Sequence, residues 1–203
     1  MMLINKNTKI YCSFSSNPGN NGCIFFNNKF QENNINAIYK SFYSDDIKKS
    51  IQAVKTLGIA GFAISMPFKT EVLQYVNELD TPVKEIGAAN TVINNNGYLK
   101  AYNTDWLGVK KYLGNISFLT ILGNGGFSKA IQYWCKQDNI KFKIVSRNEW
   151  NIIPNLKGLI FNATPIDVKV KGILIDGRPY TPEGKIIAEL QAEEQFKLYK
   201  NII

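Results

Sequence analysis

An apolar run that ends in clustered glycines constrains this chain most. Phe118-Leu119-Thr120-Ile121-Leu122 leads straight into Gly123-Asn124-Gly125-Gly126. A helical pattern over residues 128–137 and another strand-like run over 141–146 follow. Strand, tight turn, helix and strand in that order imply a parallel sheet, because parallel neighbours need a crossover long enough to hold a helix. The fold class is therefore α/β. The turn also sits where small residues let backbone N–H groups approach a pyrophosphate at a helix N-terminus. The full G-x-G-x-x-G pattern is not met, since Ser128 stands in the sixth place, and an ordinary tight turn is the rival reading.

The first half has a different rhythm. Residues 9–14, 37–42 and 61–65 read as strands, and 25–33 as a helix. Asp45 is placed to cap a helix running through Leu57, with Ile47, Ile51 and Val54 on one face and Gly58 near its end. Residues 70–79 read as another helix. Two β-like runs, 89–93 and 98–102, flank Asn94-Asn95-Asn96-Gly97, a hairpin signal in which Asn96-Gly97 supplies the positive φ angles. Beyond the glycine turn, residues 158–162 and 172–176 are two more strands, and 184–203 is a helix.

Composition removes several function classes. At 45% apolar and 20% charged residues the chain is globular. No apolar run reaches the roughly 18 residues of a membrane span, and Met1-Met2-Leu3-Ile4-Asn5-Lys6 opens no secretory signal. Three cysteines without metal-ligand spacing, and no histidine, argue against zinc or any other metal and for a reduced, cytoplasmic protein. The net charge of +8 comes from scattered lysines with no dense basic run and no aromatic-basic interleaving, so nucleic acid is not the expected partner.

Without histidine, proton transfer near neutral pH falls to a lysine, a carboxylate, a tyrosine or a thiol. Lys69 follows a strand beside Pro67-Phe68, where an ammonium partly shielded by an aromatic ring can orient an alcohol and exchange its proton. Asp105 lies in Asn103-Thr104-Asp105-Trp106, a turn that equally suits a helix cap. A lysine and a carboxylate together with a glycine-rich turn point to a nicotinamide-dependent oxidoreductase. NAD sites usually carry an acidic residue at the end of the strand after the glycine turn. Here stands Ser146-Arg147-Asn148, a guanidinium and two small polar groups that match a 2′-phosphate, so NADP is expected over NAD. An Arg147 that merely covers surface is the rival, although it is one of only two arginines.

Pro67-Phe68-Lys69, Gly87-Ala88-Ala89-Asn90-Thr91, Asn103-Thr104-Asp105, Gly123 to Gly126, Ser146-Arg147-Asn148, Asn162-Ala163-Thr164 and Gly184…Gln191 occur in one order over nearly the whole chain. In this the sequence resembles the shikimate dehydrogenases. Asn17-Pro18-Gly19-Asn20, Ser65-Met66-Pro67-Phe68-Lys69 and Gln195 to Tyr199 resemble the shikimate dehydrogenase-like branch most.

The resemblance implies reversible, NADPH-dependent reduction of 3-dehydroshikimate to shikimate, in the pathway to aromatic amino acids. It makes Lys69 and Asp105 catalytic, and Ser65, Asn90 and Gln191 substrate-binding. It assigns cofactor contacts to Gly123, Asn124, Gly125, Gly126, Phe127, Ser146, Arg147, Asn148, Asn162, Ala163, Thr164 and Gly184. It implies two α/β domains with the active site in a cleft: a substrate domain over 1–107, a Rossmann-like domain over 108–183, and a helix from 184 to 203 returning to the substrate domain. A monomer or homodimer is expected.

Two departures stand out. Asn20, Asn21, Gly22 and Cys23 occupy the region of the family's substrate-gripping serine pair. Between Arg147 and the strand at 158 there is room only for a loop, so the cofactor domain is shortened and one sheet face should lack cover. A relative that binds a small polyol acid or nucleotide without turnover, and a quinate/shikimate dehydrogenase, are the alternatives.

Overall fold

The computed structural model describes residues 4–201; residues 1–3, part of the stretch read as opening no secretory signal, and 202–203, the end of the expected last helix, lie outside the described residues. The chain divides into two compact units, Met1–Thr104 with Ala192–Ile203, and Asp105–Gln191.

In the first unit β1 (Lys9–Ser15), α1 (Asn21–Glu32), β2 (Ala37–Tyr43), α2 (Ile47–Leu57) and β3 (Gly61–Ile64) alternate, and β1 pairs in parallel with both β2 and β3. Helix α2 is capped by Asp46 rather than Asp45: the Asp46 carboxylate accepts the Lys49 N–H at 3.0 Å. Gly58 closes α2 in the left-handed conformation.

The helix expected over 70–79 is instead a short 3₁₀ turn (Glu71–Tyr75) followed by β4 (Glu78–Leu79). Long-range pairing overrides helical periodicity there. Asn77 exchanges bonds with Leu99, its N–H to the Leu99 carbonyl at 2.9 Å and its side-chain oxygen with the Leu99 N–H at 2.8 Å. An additional helix, α3 (Thr81–Ile86), follows, capped by Asp80 at one end and left-handed Gly87 at the other. The hairpin of β5 (Thr91–Asn95) and β6 (Tyr98–Tyr102) turns through Asn96 at φ 50° and Gly97 at φ 91°. The six-stranded mixed sheet has the order β2-β1-β3-β5-β6-β4.

Side chains alternate across this sheet. Cys12, Phe14, Phe62 and Ile64 face one core with Ile47, Ile51 and Val54 of α2. Tyr11 faces the other, with Phe26 and Phe30 of α1 and with Phe196 and Tyr199 from the chain's C-terminal stretch.

The second unit comprises α4 (Asp105–Leu113), β7 (Phe118–Leu122), α5 (Gly126–Gln137), β8 (Lys141–Val145), β9 (Leu159–Asn162), β10 (Ile173–Asp176) and the first part of α6 (Pro182–Lys200). Its four strands are all parallel, in the order β10-β9-β7-β8. The β8–β9 connection is not a bare loop: Arg147–Asn155 forms a nine-residue 3₁₀ stretch containing Pro154. Trp150, Ile152 and Ile153 from it, with Leu156 just beyond it and Val168 and Val170, cover Leu122, Val145 and Ile160. The face expected to lie open thus has a core of its own, because a 3₁₀ segment rises faster per residue than an α-helix and spans the same distance with fewer residues. Among the described residues no helix is long and apolar enough to cross a membrane.

Candidate active site

In the first unit, Ser65 is exposed, the Met66–Pro67 peptide is cis, and Lys69 is half-buried. The Phe68 N–H bonds the Ser65 carbonyl at 3.0 Å, and the Lys69 carbonyl accepts the Ala89 N–H at 2.8 Å. The segment carrying Lys69 is therefore tied to the one that leads into Asn90, and Phe68 anchors it in the core at 4% exposure.

Asn90 is 1% exposed and sits in a polar network that the core surrounds. Its Oδ1 accepts the Thr104 N–H and the Thr91 hydroxyl, each at 2.9 Å, and its Nδ2 donates to the Thr104 Oγ1 at 2.9 Å. Gln195 completes the network by donating to the Asn90 carbonyl at 3.0 Å and to the Thr91 Oγ1 at 2.6 Å. Asn103, also buried, donates to the Ala88 carbonyl at 2.9 Å. Sequence reasoning singled out Asn90 but missed Thr91, Thr104 and Gln195 as its partners. The residue types were visible, but their meeting was not.

The region of the missing serine pair forms the start of α1. Asn20 precedes the helix, and among the described residues no side chain caps its first turn. Gly22 packs under Tyr39, whose ring would lie 3.3 Å from an added Cβ. The Cys23 sulfur lies 3.2 Å from the Ser41 hydroxyl and accepts the Ser41 N–H.

In the second unit, Asp105 is the first residue of α4 and is 1% exposed. Gly108, one turn on, allows α6 to approach: an added Cβ would lie 2.8 Å from the Ile187 carbonyl and 2.9 Å from the Gln191 Cβ. Gln191 is thereby placed beside the α4 turn that Asp105 begins.

The glycine turn leaves β7 with Gly123 at φ +92° and enters α5 at Gly126, with Gly125 as N-cap. An added Cβ on Gly123 would lie 2.9 Å from the Thr164 methyl, while around Gly125 nothing lies within 4 Å. Among the described residues no side chain caps α5, so its N-terminal turn presents backbone N–H groups through open space. Ser128 earns its place: its hydroxyl donates to the Gly123 carbonyl at 2.7 Å and accepts from Gln132 at 3.1 Å. Gln132 also donates to the Asn124 side chain at 3.1 Å, and Phe127 packs edge-on against Phe161.

At the end of β8, Ser146 caps the 3₁₀ stretch in a capping box with Glu149, whose carboxylate accepts the Ser146 N–H at 3.2 Å. Arg147 and Asn148 are exposed, and the Arg147 guanidinium lies 5.6 Å from the Trp150 ring centroid. Asn162 ends β9 and folds Thr164 back onto itself, and Ala163 lies between them, its carbonyl 3.6 Å from an added Gly123 Cβ. Gly184 is buried in α6, where an added Cβ would collide with the Arg178 carbonyl. The open turn, the uncapped helix and the exposed guanidinium fit a phosphorylated dinucleotide. Among the described residues no cluster of side chains could hold a metal.

A model of the shikimate dehydrogenase substrate-binding domain matches residues 22–92. A shikimate dehydrogenase-like protein of Haemophilus influenzae is 37% identical over 152 residues, covering 72% of this chain and 56% of that one. A shikimate dehydrogenase (NADP(+)) of Pyrococcus furiosus is 39% identical over 139 residues, 64% of this chain and 51% of its own. The chain thus spans about half the length of the curated relatives it matches. A solved shikimate 5-dehydrogenase-like protein superposes with a TM-score of 0.81 at 30% identity, over 98% of this chain and 94% of that one.

Proposed function

Because the chain belongs to the shikimate dehydrogenase family, we propose that it is an NADP-dependent oxidoreductase that interconverts 3-dehydroshikimate and shikimate. The observation that carries this reading is the open glycine turn at the uncapped N-terminus of α5, followed at the end of β8 by an exposed guanidinium rather than a carboxylate. Gly123 to Phe127 hold the pyrophosphate. Ser146, Arg147 and Asn148 hold the 2′-phosphate, and Asn162, Ala163, Thr164 and Gly184 line the rest. Bound there, the dinucleotide supplies or accepts a hydride.

Lys69 and Asp105 hold the reacting hydroxyl oxygen and exchange its proton, since no histidine exists to do so. Ser65, Asn90 and Gln191 orient the ring through its other polar groups. The protein acts in the cytoplasm as a monomer or homodimer, with no nucleic acid or membrane partner.

The test is to follow reduced-nicotinamide absorbance with shikimate and quinate, each against NADP and NAD. Turnover of shikimate with NADP is expected, and NADPH binding without turnover of either substrate would reduce the chain to a binding relative. Lys69→Ala should lower kcat by about 100-fold or more with KM changed only a few-fold, because its bond strengthens as charge develops on oxygen. An unchanged kcat refutes the assignment.

A further inference from the structure

Arg178 is not among the expected cofactor contacts, yet it is among the most heavily bonded side chains of the second unit. Its Nε donates to both oxygens of Asp176 at 2.9 Å, and one terminal nitrogen bridges Asp176 and Asp167, the latter at 2.6 Å. The other donates to the Tyr180 hydroxyl at 3.0 Å, and the guanidinium covers the Tyr180 ring. Both Arg178 and Asp176 side chains are only 10% exposed.

Asp176 ends β10 directly beside Asn162, the end of β9. The Asn162 amide, fully buried, spends its donors on Asp176 at 3.4 Å and on the Ile166 carbonyl at 2.9 Å. Its oxygen accepts the Thr164 N–H at 3.0 Å and the Thr164 hydroxyl at 2.6 Å. With the hydroxyl held so, the Thr164 methyl presses on Gly123, the first residue of the glycine turn, leaving no space for a Cβ. The contacts run unbroken from Arg178 through Asp176, Asn162 and Thr164 to the turn. The Arg178 carbonyl meanwhile bears on Gly184, and Thr181 bonds the Asp176 and Arg178 carbonyls, so the far end is clamped against α6.

We propose that Arg178 is a positioning residue for the glycine turn: by neutralising and fixing Asp176 it locks the Asn162–Thr164 corner that sets Gly123 against the dinucleotide. The proposal rests on the reading that this turn takes NADP. Without the guanidinium a buried carboxylate would keep only the residue-178 N–H at 3.1 Å and the Asn162 amide, with no cation to balance it, a situation that proteins relieve by protonation, water entry or rotation, each of which disturbs the Asn162 amide. The corner would then loosen although the substituted side chain is not itself one of those assigned to the cofactor.

Two readouts test this on the full chain with Arg178→Met, which keeps the apolar stem, and Arg178→Lys, which keeps the charge but not the planar fork. The first is amide hydrogen exchange without cofactor. The Thr164 and Gly123 amides report directly, since they bond the Asn162 side chain and the Val145 carbonyl. In Arg178→Met, exchange over 123–128 and 162–167 should rise by about 10-fold, with the lysine variant falling between it and wild type. The second is NADPH binding: Kd should weaken by about 10-fold while kcat at saturating NADPH stays within about twofold, the pattern of a lost preorganisation and not of lost chemistry.

Unchanged exchange at 123–128, or a rise shared equally by β8, would overturn the proposal, the latter by making Arg178 a general stabiliser. Normal NADPH affinity in a folded Arg178→Met protein would overturn it as well. If Arg178→Met fails to fold, the lysine variant alone decides by the same comparisons. A wild type that does not bind NADPH sinks the proposed function instead, and the exchange readout still judges whether Arg178 holds the corner.

Discussion

Replacing Asn90 with alanine tests the buried polar network of the first unit. The substitution removes the acceptor of the Thr104 N–H and of the Thr91 hydroxyl, and the donor to the Thr104 hydroxyl. Thr91 keeps the Gln195 amide, so its loss is partial. Thr104 is 2% exposed, and its N–H loses a bond that bulk water cannot replace. A stranded buried donor costs about 1–3 kcal/mol and a lost neutral hydrogen bond about 1 kcal/mol, so Asn90→Ala should destabilise by about 2–4 kcal/mol. Thr104→Val removes only the hydroxyl and should cost about 1 kcal/mol. Since Nδ2 of one bonds Oγ1 of the other, the two changes should not add, and the double variant should fall short of the sum by about 0.5–1.5 kcal/mol. Urea unfolding of wild type, both single variants and the double variant measures this, with the slope m checked for constancy. A loss below about 1 kcal/mol for Asn90→Ala at constant m would show that the network is not a closed buried unit, and strict additivity would break the link between residues 90 and 104.

Arg147→Asp places like charge where the 2′-phosphate is expected and should erode the preference for NADPH over NADH by at least about 10-fold, measured as the ratio of kcat/KM values; an unchanged ratio makes Arg147 a surface residue. Glu149→Gln keeps an acceptor for the Ser146 N–H but removes negative charge beside Arg147, so KM for NADPH should fall a few-fold, and a rise would place the phosphate elsewhere. Burial pushes the Cys135 thiol up from 9.0 to about 12, and pushes the Tyr11, Tyr39 and Tyr199 phenols upward too. The folded chain therefore holds these protons more tightly than the unfolded chain. The associated stability is complete below about pH 9 and is lost as pH climbs from there toward 12, so Tm should decline steadily over that window, and a flat profile would contradict the burial.

Legibility varied with the range of the interaction. The β5–β6 hairpin was readable because Asn96-Gly97 demands positive φ locally, and α2 because its apolar spacing and Gly58 lie within a few turns, although the cap fell one residue later than expected. The 70–79 segment misled because its pattern is helical while its partner, β6, lies downstream in the chain. The 147–158 connection looked too short for anything but a loop because the count assumed an α-helical rise, and the tighter 3₁₀ winding also escaped notice. Within the candidate site, the glycine turn, Lys69, Asp105 and Arg147 were visible as residue types in local context. Ser128 looked like a departure from the glycine pattern, and only its bond to the Gly123 carbonyl explains it.

By itself, then, the sequence determined strand alternation, the Gly58 helix stop and the Asn96-Gly97 turn, which are properties of neighbours a few residues apart, and the absence of histidine. Only the tertiary structure decided that Gln195 closes a network around Asn90 more than a hundred residues earlier, with a sequence separation of 105, and that Arg178 is spent on Asp176 instead of on solvent. It also decided that Gly108 is small because the Ile187 carbonyl, from a segment far along the chain, presses on it. The physical reason is that a buried polar group must find a partner wherever the fold brings one, and no local pattern encodes which distant residue that will be.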